Sequence, residues 1–153
     1  MRLVKRIAGL VMLCFSCAAV AEEGEVAVGI AAINPNGLTA KYWISDTTAY
    51  DVLAEWSFDS NKIEMHADYL MHDFGKLQWE AERAAVYYGY GIKVRIKDGT
   101  DPKVSIRIPF GVSYFVNEMP FEVFGEVAPR VRVVPSTNAS MDLMIGIRYR
   151  FFL

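Results

Sequence analysis

The sequence predicts an all-β fold: an eight-stranded antiparallel up-and-down transmembrane β-barrel behind a cleaved signal peptide. Three observations predict it. The first 21 residues form an export signal. The remainder alternates apolar and other residues in eight short segments separated by turn residues. The charges of those segments fall almost entirely on one face, opposite a continuous apolar one.

The export signal is "MRLVKRIAGLVMLCFSCAAVA". Arg2, Lys5 and Arg6 give a basic start, Ile7 to Ala19 an apolar centre, and Ala19-Val20-Ala21 a small-residue cleavage site. The expected domains are therefore a signal peptide over 1–21 and one barrel over 22–153. Both cysteines, Cys14 and Cys17, lie in the signal, so the processed chain has no thiol for a disulfide, a nucleophile or a metal. Processing also removes three basic residues and no acids. The formal net charge moves from −2 to −5, leaving 13 basic against 18 acidic residues and no basic run. That gives no support to nucleic-acid binding.

The strands are expected at about 25–33, 38–45, 49–58, 62–72, 84–96, 103–115, 120–133 and 139–151. Turn chemistry separates them, in "NPNG" (34–37), "SDTT" (45–48), "DSN" (59–61), "KDGTDP" (97–102), "NEMP" (117–120) and "PSTN" (135–138). The interval 73–85 carries good helix formers and is expected as a longer connection with one helical turn.

Successive strand side chains point to opposite faces. One face reads Val28, Ile30, Leu38, Tyr42, Tyr50, Val52, Trp56, Ile63, Met65, Tyr69, Tyr88, Tyr90, Ile92 and onward to Ile145, Ile147, Tyr149 and Phe151, with no charge among them. The other carries Lys41, Lys93, Arg95, Arg107, Arg130, Arg132, Arg148 and Arg150 against Asp51, Glu55, Glu64, Asp68, Glu122, Glu126 and Asp142. It also carries Ala27, Gly29, Ala31, Gly89, Gly91, Gly111 and Gly146. A solvated face has no need of such glycines. A narrow closed interior does, because small residues make room for large ones. The expected interior network is Lys41, Glu55, Glu64, His66, Asp68, Arg95, Arg107, Glu122, Glu126, Arg130, Asp142, Arg148 and Arg150. Within it, Arg148 and Arg150 are expected to pair with Glu122 and Glu126. A soluble lipocalin-like carrier of a small apolar ligand, with the two faces exchanged, is the alternative fold reading.

The processed chain resembles small OmpA/OmpX-like outer-membrane β-barrels. More narrowly, "INPNGLTAKYWISDTTAYDVLAEWSF", "HADYLMHDF", "YYGYGIKVRI", "IRIPFGVSYFV" and "FEVFGEVAPRVRVVP" resemble a family of small bacterial barrel proteins also found in spirochaetes. The resemblance covers about residues 25–151. It implies an outer-membrane location and outer-membrane lipid as surroundings, and brings no catalytic residues. The ending Ile145, Ile147, Tyr149, Phe151 is similar to the signal by which barrel-assembly machinery recognises its substrates, although Phe152 and Leu153 follow it.

No catalytic, cofactor-binding or metal residues are expected. His66, Asp68 and His72 share the inward face, but His72 lies about 20 Å along the strand from His66 at the usual strand rise. One ion cannot join them within that strand. Some barrels of this size modify lipid A with a His and a Ser two apart on a lipid-facing strand. Neither histidine here has a serine at that spacing, and both point inward. Glu122 and Glu126 would need a substrate cleft for glycoside chemistry. The expected role is structural, in envelope support or interaction, with a narrow pore as the alternative.

Overall fold

A computed structural model of the chain describes residues 22–76 and 83–152. The expected signal peptide over 1–21 and most of the helical turn expected within 73–85 lie outside the described residues. Nine strands are present: β1 (Glu25–Asn34), β2 (Gly37–Trp43), β3 (Thr48–Ser57), β4 (Lys62–Asp73), β5 (Ala84–Lys97), β6 (Lys103–Arg107), β7 (Phe110–Phe115), β8 (Phe121–Val134) and β9 (Asn138–Phe152). All pairings are antiparallel, and the sheet closes on itself: β9 pairs with β1, and β4 with β5.

Eight strands were expected and nine are found, because the segment 103–115 is divided. The break falls at Ile108 and Pro109. Proline has no N–H to give to a ladder. The register nonetheless runs through the break without a shift. On β5, Gly91 faces Arg107 and Tyr88 faces Phe110, three residues apart on both sides. Ile108 N–H donates to Pro129 O at 2.9 Å, and Gly89 N–H donates to Pro109 O at 3.1 Å. Thus β6 and β7 together fill one place in an eight-membered ring. A second irregularity, a bulge between Val104 and Ser105, sits where this segment pairs with β8.

The second segment ends at Trp43, two residues earlier than expected. Ser45 is the reason. Its hydroxyl accepts the backbone N–H groups of Thr47 and Thr48 at 3.2 and 3.0 Å, drawing the backbone into a turn instead of a ladder.

The ring is strongly staggered. Followed across the pairs from Val28, one row runs Ala40, Val52, Ala67, Ile92, Ile106, Val131 and Ala139. Asn34, six residues past Val28, faces Leu143, and Ala139 lies four residues further along, so the row climbs ten residues in one circuit. Such a climb requires strands tilted steeply to the ring axis. Every member of this row is apolar and faces outward. The adjacent row, one residue earlier on β1, runs Ala27, Lys41, Asp51, Asp68, Gly91, Arg107 and Arg130, and it faces the interior.

The start of β1, the end of β9 and the connections 43–48, 73–84 and 115–121 lie at one end of the ring, called here the terminal end. The turns 34–37, 57–62, 97–103 and 134–138 lie at the other.

Candidate functional site: a charged, filled interior

The polarity of the fold is inverted relative to a water-soluble domain. Arg107 and Arg148 are 0% and 1% exposed, whereas Ile30 and Tyr90 are 59% and 61% exposed. Every strand contributes exposed large apolar side chains. The interior they enclose is built in levels.

At the terminal end an aromatic plug closes the ring. Trp43, Ala49 and Phe115 are buried together, with Phe74 packed on them. The His72 ring lies 4.3 Å from that of Trp43 and 5.2 Å from that of Tyr87 between ring centres, tilted against both. Beside the plug, Arg150 on the last strand grips Glu25 on the first, with Nε–Oε1 at 2.7 Å and a second nitrogen to Oε2 at 2.8 Å. This bidentate pair spans the β1–β9 seam that closes the ring.

The next level holds two linked clusters. Lys41 Nζ lies 2.8 Å from both Glu122 Oε1 and His72 Nε2, and 4.5 Å from the centre of the Trp43 ring. Ser113 donates to the same Glu122 oxygen at 2.7 Å. Arg148 donates to Asp51 Oδ2 at 2.7 Å and to Thr39 Oγ1 at 2.9 and 3.1 Å, and approaches Glu122 at 3.5 Å. Its guanidinium lies 3.8 Å from the centre of the Phe124 ring, within cation–π range.

In the middle, Arg107 bonds both Glu126 and His66, and Asp68 stands 3.6 Å from its Nε. Tyr87 Oη donates to the other Glu126 oxygen at 2.9 Å. Asp68 also lies 3.7 Å from His66 Nε2. The two histidines serve different cations, Arg107 and Lys41. Toward the far end, Lys93 and Arg130 share Asp142, while Arg95, Lys62 and Lys93 gather around Glu64. Glu55 pairs with Lys62 at 3.2 Å near the rim.

The thirteen residues expected in the network all lie on this inner surface, but the expected pairs differ in part. Arg148 does reach Glu122, which stands opposite it across β8–β9, yet its shorter bond is to Asp51. Arg150 takes Glu25 in place of a glutamate of β8. Glu126 lies opposite Met144, beyond the reach of Arg150's pair, and takes Arg107. Sequence reasoning missed Glu25, Thr39, Trp43, Tyr87, Ser113, Phe115 and Phe124. Each has inward parity: Trp43 follows Thr39 and Lys41, and Phe124 stands between Glu122 and Glu126. Parity was the available signal. It is masked for the aromatics because alternation places the large apolar residues on the outer face.

The inward glycines make room for these groups. A Cβ on Gly146 would lie 2.5 Å from two atoms of the Phe124 ring. One on Gly111 would overlap the Tyr87 ring, and one on Gly91 would overlap the Asp68 carboxylate. Small and large side chains therefore interlock across the interior, which is how a narrow ring fills.

Compared with known proteins, the chain matches no family model, no curated protein and no solved structure.

Proposed function

We propose that this protein is an integral outer-membrane β-barrel of eight strand positions, with an ion-paired, side-chain-filled interior and a structural or interaction role in the envelope. The observation that carries this reading is the inversion of polarity: a belt of exposed apolar side chains on every strand surrounds an interior whose deeper charges are buried and paired. In lipid, backbone groups must all be satisfied within the protein, and a closed sheet does that. In water, so extensive an apolar surface would drive association. Tyr42, Tyr50, Tyr69 and Tyr90 form one outward-facing aromatic row across four consecutive strands, climbing from the terminal end of β2 to the middle of β5.

On this reading the chain ends face the periplasm and the four short turns face outward. The partners are outer-membrane lipid and, during biogenesis, the barrel-assembly machinery, which engages the C-terminal strand β9. The plug of Trp43, Phe74 and Phe115 argues against an open pore, and the charged interior argues against a carrier of apolar ligands. The reading assigns the protein no reaction and no cofactor.

The test is fractionation with gel mobility. The processed protein should sediment with outer membranes, and its unboiled band should run ahead of the boiled one. Recovery in the soluble periplasm with a single band position overturns the reading.

A further inference from the structure

We propose that the cavity at the end of the ring opposite the chain termini is an anion site that takes a phosphoryl group. The cavity measures about 130 Å³ and is framed by β4, β5, β6, β8 and β9. One water needs only roughly 10–15 Å³, so there is room for a tetrahedral oxyanion with part of its hydration.

The charge balance of this level sets it apart from the rest of the interior. Deeper in the ring each cation has a close carboxylate of its own: Arg150 has Glu25, Arg148 has Asp51, Lys41 has Glu122 and Arg107 has Glu126. At the cavity, Lys93, Arg95, Lys103, Arg130 and Arg132 converge on a wall whose one acid is Glu64, with Asp142 just beneath. Five cations thus share two carboxylates. Glu64 is taken by Arg95 and Lys93 and, from just outside the cavity lining, by Lys62, and Asp142 by Lys93 and Arg130.

Donors remain over. Arg130 meets Asp142 through Nε alone, and its two terminal nitrogens make no hydrogen bond among the described residues. Among the described residues, Arg132 bonds only neutral oxygens of Ser136, at 3.0 and 3.3 Å. Lys103 makes no ion pair among the described residues. Ser105, Asn138 and Ser140 add neutral polar groups to the same wall. Forked guanidinium donors beside an ammonium suit a phosphoryl group, whose charge of about −1.5 to −2 would offset most of the surplus. The phosphoryl group could be free phosphate or the headgroup of a lipid at the outer rim.

The experiment titrates the full processed chain, folded in detergent, with inorganic phosphate at fixed ionic strength, with chloride as the control. It therefore does not depend on membrane location or orientation. Saturable phosphate binding is expected, with no saturable response to chloride. Lys103→Gln combined with Arg132→Gln should weaken it at least tenfold. Neither residue is ion-paired among the described residues, and the unboiled gel band verifies that the variant is folded. Should the double variant fail to fold, Lys103→Gln alone is expected to weaken binding severalfold.

Absence of saturable binding, equal responses to phosphate and chloride, or unchanged binding in the folded variant overturns the proposal. Vesicles carrying phosphorylated or dephosphorylated lipid A then separate the two sources. Competition by the phosphorylated lipid alone identifies a headgroup, and no competition by either identifies free phosphate.

Discussion

Replacing Arg148 with methionine tests whether the buried network holds the ring together. The substitution keeps most of the side-chain length but removes the bond to Asp51 at 2.7 Å and both bonds to Thr39. Glu122 is then still held by Lys41 and Ser113. Asp51 is left with one hydroxyl donor, Thr39 at 3.1 Å. Arg148 and Asp51 are both 1% exposed, so water cannot take over the lost role. Breaking a buried pair from one side costs about 3–5 kcal/mol, mostly through the stranded charge. Asp51→Asn removes that charge while keeping the shape, and by itself should cost about 1.5–3 kcal/mol. In the double variant no charge is stranded. Its loss should fall short of the sum of the single losses by about 1–3 kcal/mol. Urea unfolding of the protein in phospholipid vesicles, followed by tryptophan fluorescence, measures all four corners of the cycle. Additivity within about 0.5 kcal/mol would refute the reasoning, because it would mean that the two side chains do not depend on each other.

Ile145 stands at the midpoint of β9 and is 56% exposed, so Ile145→Arg should cost about 2–4 kcal/mol in a bilayer and sharply reduce the membrane-assembled fraction. An exposed site on a soluble protein would absorb the same change within about 0.5 kcal/mol, and normal assembly of the variant would count against the membrane reading. Gly146→Ala should destabilise by about 1–3 kcal/mol through contact with Phe124 and the Ile30 carbonyl, read as a lower urea midpoint. Arg150→Gln should loosen the β1–β9 seam by removing the bidentate grip on Glu25. Faster amide exchange confined to β1 and β9 is the expected signature, and uniform acceleration throughout the ring would contradict it.

The strands and the two faces were legible because both are written in a period of two, and that period survives any choice of neighbour. Lys41, Asp51 and Asp68 could be placed on one surface from their own segments alone. The division at Pro109 was also within reach, since a proline in a ladder announces a lost donor. What no single segment holds is the stagger. Whether Arg148 meets Asp51 or Glu126 depends on a climb of ten residues spread over the pairings of the ring, each fixed by a different turn. The same stagger decides the partners of the glycines. Gly146 reads in the sequence only as a gap on the inward face. It is filled by Phe124 because β8 and β9 are aligned residue for residue at that point, with Phe124 opposite Gly146 and Glu122 opposite Arg148. One alignment thus places the Phe124 ring over Gly146 and beneath the Arg148 guanidinium at 3.8 Å. A two-residue slip of β9 would keep every side chain on its proper face and still break both contacts. The interlocking of the interior therefore selects the register, a task that alternation alone cannot perform.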